Sequence, residues 1–182
     1  MNNIIFDFIG GKTGDWKVLK TTTLAGDSLP KVTHIDKIQS SLLNRFEGLW
    51  SLKGTISNLR YTQKEEKVQL EAKQPDLGRK KATYAALIPI KKSEAWWSLA
   101  QDERRDVMEK QSKHMHHGMK YLPAIARQLF HSRDINEPFD FLTWFEFAPE
   151  DEPAFNELLG IMRKSEEWKY VEREIDIRMV RV

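Results

Sequence analysis

The sequence predicts an α+β fold of the ferredoxin-like kind, and three observations predict it. Residues 82–182 read as the order β-α-β-β-α-β, the ferredoxin-like unit. Two segments of that half carry the two-residue period of strands: 139–147 (FDFLTWFEF) and 171–182 (VEREIDIRMVRV). Residues 1–81 read mostly as strands. A sheet of this kind has one face covered by helices, and its other face needs more sheet, a ligand or a partner chain.

The elements follow in order. Residues 4–9 are apolar and β-branched, and Gly10-Gly11 ends them. Residues 16–24 contain VLKTTTL, again strand-like. A short helix is predicted over 39–48, and strands over 50–61 and 67–72. The polar stretch KQPDLGRKK (73–81) is a turn or mobile loop. A strand over 82–90 closes at Lys91-Lys92. Ser98-x-x-Gln101 resembles a capping box and predicts a helix through about Gly118. Pro123 precedes a strand over 125–131. Acidic residues and Pro153 open a helix over 153–167, and the final strand is 171–182. There is no short-period repeat and no low-complexity tract.

Composition narrows the function classes. The 182 residues make one domain or two small ones. Hydrophobic residues at 40% are enough for a core, and 31% mixed charge fits an ordinary surface. Lys plus Arg number 29 against 27 Asp plus Glu, a net +2 that does not call for nucleic acid. Cysteine is absent, which excludes disulfides, iron–sulfur sites, thiolate metal sites and a Cys nucleophile. No run approaches the ~18 apolar residues of a membrane helix, so no membrane partner is expected. The start MNNIIFDFIGGK lacks the basic region of a secretory signal, so the cytoplasm is the expected location.

Four constellations bear on chemistry. Three of the five histidines are His114, His116 and His117. At about 100° per residue, Val107, Gln111, His114 and Gly118 share one helical stripe, whereas His116 points away. His114 is thus either an iron or zinc ligand on an inward face or part of a polar helix end, where His is favourable. Zinc would need further ligands, and no HExxH is present. Arg127 shares a strand face with Ile125, Leu129 and His131. A guanidinium buried there needs an anion, either a bound one or a structural carboxylate. Trp96-Trp97 follow Lys91-Lys92, and their N–H groups want acceptors when buried. Finally, Phe139, Phe141, Phe145 and Phe147 at period two are core-like, with Thr143 compatible with a pocket wall. GGKTG at 10–14 lacks P-loop spacing, and neither GxSxG nor GxGxxG occurs.

The strings AWWSL, HMHHGMKYLPAIARQLFHSRD, EPFDFLTWFEFAPED and RKSEEWKYVERE resemble the chlorite dismutase family of haem proteins, over about residues 84–182. The length matches the short branch of that family, whose members resemble homodimers. The resemblance implies a dimeric α+β barrel built of two ferredoxin-like units. The whole of 1–182 would be one haem domain, with 1–81 a trimmed N-terminal half and 82–182 a complete C-terminal half. It implies haem b held by His114 as the iron ligand. Glu167, or the adjacent Glu166, would accept the other ring N–H, and Lys92 would pair with that carboxylate. Trp97 would approach a haem propionate with Trp96 beside it, and Asn58 and Tyr61 would be further propionate residues. On the opposite side of the haem Arg127 would be walled by Leu129, Thr143 and Phe145, with Leu122 nearby. Gln74 would hold the Arg127 side chain in one orientation. The implied activity is decomposition of the small anion chlorite to chloride and O₂ through a ferryl haem and hypochlorite. Two other readings are a haem carrier and a peroxidase-like or coproporphyrin-haem decarboxylase-related protein. Decarboxylating members are longer and lack the distal arginine.

Overall fold

The structure, a computed structural model, describes residues 4–56 and 64–182. Eight strands make up its frame: β1 (Ile5–Gly11), β2 (Trp16–Ala25), β3 (His34–Gln39), β4 (Trp50–Ile56), β5 (Tyr84–Lys92), β6 (Ala126–His131), β7 (Phe141–Phe147) and β8 (Val171–Arg181). The helices are α1 (Lys64–Lys73), α2 (Glu94–Ser98), α3 (Gln101–Arg105), α4 (His114–Lys120) and α5 (Glu152–Arg163). All strand pairs are antiparallel, and the strands close in the order β1-β3-β2-β8-β5-β7-β6-β4.

Each half contributes four strands in the same relative order, β4-β1-β3-β2 and β8-β5-β7-β6. The halves differ in what lies between the strands. In the second half, helices fill both crossovers. In the first, residues 12–15 join β1 to β2 with no helix, and β3 reaches β4 through one 3-10 turn, Ser40–Leu42.

Burial explains why the second half reads so clearly. Residues 85–90 of β5 are buried without interruption, as in a strand covered on both faces. Inside the barrel, Leu87 packs with Phe8, Trp16, Phe130 and Trp144. Outside, Ala86, Ile88 and Ile90 lie with Phe145 and Phe147 under α5. The buried residues of α5 are Phe155, Leu158, Leu159 and Met162, the i, i+3, i+4, i+7 stripe of an amphipathic helix.

Several expectations change. β1 does end at Gly11, as expected, but both glycines pair within the strand rather than breaking it after Ile9. Gly10 is required by a close approach, because a Cβ there would fall 2.3 Å from the Trp50 ring. The helix expected over 39–48 is only the Ser40–Leu42 turn. Ser40 donates to the buried Asp7 carboxylate at 2.5 Å, and the Leu49 N–H bonds the Gly10 carbonyl at 2.7 Å, so this segment is drawn across β1. Residues 67–72 are helix rather than strand. Lys, Glu, Gln, Leu and Ala are good helix formers, and the apparent alternation did not reflect burial, since Val68 is exposed.

The single helix expected over 98–118 is broken. Leu99 and Ala100 are extended, and the Glu103 carboxylate caps α3 by accepting the Ala100 N–H at 2.7 Å. Ser98 is not the cap; its hydroxyl bonds back to the Glu94 carbonyl. A wider π turn, Asp106–Gln111, follows, and α5 stops at Arg163 rather than near 167. β7 begins at Phe141, so Phe139 leaves the face it was expected to share and packs in the barrel interior. Among the described residues no helix is long and apolar enough to cross a membrane.

A lysine side chain enters the barrel. Lys37 donates to Gln128 Oε1 at 3.0 Å and lies 5.4–5.6 Å from the rings of Phe6, Phe130 and Trp144. Burial lowers its pKa from 10.5 to about 8, against the opposing charge of Glu146. By linkage, that is about 3 kcal/mol of lost stability below pH 8. Between pH 8 and 10.5 the unfolded chain binds the extra proton, so stability rises with pH across that window. Lys37→Met is expected to stabilise the protein at pH 7 by about 1–3 kcal/mol and to flatten that rise. Urea unfolding at pH 7 and pH 10 checks both, and a less stable variant at pH 7 contradicts the account.

Candidate functional site

A large apolar pocket opens between the outer face of the second-half sheet and the helices that cover it. It encloses about 1410 Å³, its open mouth included. Arg127, Leu129, Thr143 and Phe145 come from its sheet wall, and His114, Gly118 and Met162 from its helical wall.

His114 owes its position to the break in the helix before it. Lys113 is left-handed, with φ of 51°, so the chain reverses and His114 starts α4. Its Nδ1 lies 2.7 Å from Glu167 Oε2. The other oxygen of Glu167 accepts the Lys92 ammonium at 2.9 Å, and the Glu167 N–H donates to Ser112 Oγ at 2.9 Å. Lys92 also sits 4.2 Å over the Trp96 ring. Lys92 and Glu167 are both nearly inaccessible, at 4% and 5% exposure. Burial alone pushes the Glu167 carboxyl up, but the charges and hydrogen bonds of His114 and Lys92 outweigh it and hold it well below the usual carboxylate range. With Nδ1 committed to the carboxylate as donor, Nε2 is the ring nitrogen that keeps a lone pair.

Arg127 faces the same pocket from β6. Among the described residues its guanidinium has no hydrogen-bond or ion-pair partner. Burial pushes its pKa down, with the distant Glu167 charge opposing. Such a cation in an apolar wall strongly favours an incoming anion.

The model of the chlorite dismutase family matches residues 25–182. The chain belongs to the chlorite dismutase family. It is 35% identical over 129 residues to the chlorite dismutase of Ideonella dechloratans, covering 66% of this chain and 41% of that one. It therefore spans about two-fifths of the length of that curated relative. A crystal structure of dimeric chlorite dismutases from Nitrobacter winogradskyi is 49% identical, with a TM-score of 0.90, over 97% of this chain and 99% of that one. A mutant chlorite dismutase from Candidatus Nitrospira defluvii in complex with cyanide is 18% identical with a TM-score of 0.70, over 98% and 92% of the two chains, and shares the fold.

Within this chlorite dismutase fold, most of the site residues expected from sequence converge. His114, Lys92, Glu167, Trp96, Leu122, Gln74, Arg127, Leu129, Thr143 and Phe145 all line the pocket. Of the two adjacent glutamates, Glu167 meets His114, while Glu166 pairs with Lys169 at 2.7 Å on the surface. Two expectations are corrected. Gln74 donates to the main-chain carbonyl of Arg127 at 2.5 Å, not to its side chain. Trp97 does not line the pocket: its indole N–H is given to Asp140 Oδ2 at 3.1 Å, and its ring stacks on Phe141. Trp96 takes the pocket side, with its indole N–H buried and without a partner among the described residues. Asn58 and Tyr61 lie outside the described residues. Sequence reasoning missed Ser112 and Tyr121, polar residues that carry no motif.

The Lys92–Glu167 pair yields a stability test. Glu167→Ala leaves a buried ammonium uncompensated and is expected to cost about 3–5 kcal/mol. The double variant Lys92→Met/Glu167→Leu should recover most of that loss. Because the folded-state pKa of Glu167 is depressed, its contribution is complete above 4.5, its ordinary value, and is lost as pH falls below it. Denaturant unfolding from pH 7 to pH 3 checks this. A double variant as unstable as Glu167→Ala contradicts it.

Proposed function

We propose that this protein is a haem b enzyme that decomposes chlorite to chloride and O₂ and works as a homodimer. One observation carries the reading. A single pocket presents, on its helical wall, an imidazole oriented by a buried Glu–Lys pair and, on its sheet wall, a half-buried arginine with no carboxylate partner among the described residues.

The residues fit haem. Among the described residues no group of three or more His, Asp or Glu is placed to hold a metal ion, so an iron bound by His114 must bring its other donors with it, as a porphyrin does. A Cβ on Gly118, one turn beyond His114, would meet nothing within 4 Å, which leaves room for a flat ring. The unpartnered Trp96 N–H supplies a buried donor for a polar group at the ring edge. Leu122 and the other apolar lining residues suit the macrocycle.

When bound, the haem supplies the redox chemistry that breaks the Cl–O bonds and joins the oxygens. The protein supplies ligation, charge and enclosure. Glu167 accepts the His114 N–H, fixing the tautomer and making the imidazole a stronger donor. Lys92 keeps that carboxylate ionised. Arg127 draws chlorite into a pocket where its charge is little screened, and orients it. It also keeps the oxychlorine anion from escaping before chloride and O₂ leave. Leu129, Thr143 and Phe145 hold that space small and poor in water. Gln74, through its hydrogen bond to the Arg127 carbonyl, steadies the strand from which the guanidinium projects.

The dimer reading is supported by the similar Nitrobacter structure, which is named as dimeric. It is also supported by Leu42, Phe46 and Leu49, which are 64%, 50% and 64% exposed on the segment that replaces a helix in the first half.

Spectra and oxygen-electrode traces test the reading. The purified protein is expected to show a Soret band and to evolve O₂ from chlorite. His114→Ala should lose or loosen haem, while His116→Ala should not. Arg127→Ala should keep haem but bind cyanide or fluoride more weakly. It should evolve O₂ more slowly, by less than the ~10²-fold typical of losing an aimed donor, and release more hypochlorite to a chlorination probe. A wild-type protein that holds haem yet evolves no oxygen contradicts the enzymatic reading.

A further inference from the structure

Asp140 is buried, at 4% exposure, and lies immediately before β7. Its Oδ2 accepts two hydrogen bonds, from the Lys92 main-chain N–H at 2.7 Å and from the Trp97 indole N–H at 3.1 Å. Its Oδ1 is 3.7 Å from Arg133 Nη1, and that guanidinium lies 4.0 Å over the Trp97 ring. The main chain of Asp140 is also fixed: its N–H donates to the Ile90 carbonyl at 2.9 Å, and its carbonyl accepts from Ser132 at 2.9 Å.

The backbone explains why a side chain is needed here. The β5–β7 pairing ends at Ile90↔Phe141, and the β5–β8 register slips between Lys91 and Lys92. Lys92 thus stands at an irregular strand end, and the Asp140 carboxylate takes over as acceptor for its N–H. The direction in which the Lys92 side chain leaves the strand depends on that anchor. Its ammonium then holds Glu167 Oε1 at 2.9 Å, and Glu167 Oε2 holds His114 at 2.7 Å.

We propose that Asp140 is a positioning residue that acts on His114 through Lys92 and Glu167. It sets the backbone of Lys92, Lys92 sets the carboxylate, and the carboxylate sets the imidazole. The inference rests on the reading of His114 as the haem ligand. What matters in it is the place of the acceptor oxygen, not the charge of Asp140.

Resonance Raman spectra of the ferrous, haem-loaded protein test it through the iron–histidine stretching band, together with the rate of haem loss. Asp140→Ala should move the band in the same direction as Glu167→Gln and release haem roughly 10-fold faster than wild type. Asp140→Asn keeps an acceptor oxygen in place without the charge, and should leave the band at its wild-type position. Asp140→Glu keeps the charge but displaces the oxygens by a methylene, and should shift it. If Asp140→Ala does not fold, the Asn and Glu variants decide the matter: a shift in Glu alone supports positioning, and a shift in Asn, or in neither, overturns it. A band that survives His114→Ala overturns the haem ligand and this inference together. A band lost there but indifferent to Asp140→Ala and Asp140→Glu overturns the role of Asp140 alone.

Discussion

The buried ion pair between Lys92 and Glu167 is the constraint on which the site depends. Two charges with almost no access to water are costly unless each is answered by several partners. Here the answer comes from four separate segments: the end of β5, the turn after α5, Ser112 before α4, and the first residue of α4. Each must be in register for the pair to form. The same requirement that makes the pair tolerable therefore fixes where His114 can be. A solvent-exposed carboxylate would accept a histidine in many geometries, whereas this one accepts it in one.

The pocket divides its labour between two kinds of structure. The sheet wall is rigid, because β5 and β7 are packed on both faces, and it carries Arg127 on the neighbouring β6. The helical wall is interrupted: α2, α3, a π turn, a left-handed Lys113 and then α4. Interruptions of this kind cost stability and are kept where they aim a side chain. The first half of the chain closes the barrel behind the site. It adds a filled interior into which Lys37 projects, and its own crossovers carry no α-helix.

What was legible in the sequence follows from what packing alone decides. The strands over 139–147 and 171–182 were readable because their two faces meet different surroundings and the pattern records it. The ferredoxin-like order of the second half was readable for the same reason. The helix at Lys64–Lys73 was misread because Val68, Leu70 and Ala72 mimic alternation while helix propensity decides. The long helix over 98–118 was misread because Lys113 bears no sign that it adopts positive φ. At the site, the position of His114 on a helical stripe left both a ligand and a polar helix end open. The family resemblance pointed to the ligand, and the structure supplied the Glu167 contact. It also chose Glu167 over Glu166 and turned Trp97 away toward Asp140, distinctions that rest on contacts between residues distant in sequence.

The central claim is that the buried carboxylate makes His114 a strong, fixed donor to haem iron. The ferric–ferrous midpoint potential of the haem-loaded protein tests it most directly, compared between wild type and Glu167→Gln. The account predicts a higher potential in the variant, because a more neutral imidazole stabilises ferric iron less. A variant that keeps its haem on His114 and shows the wild-type potential would contradict it.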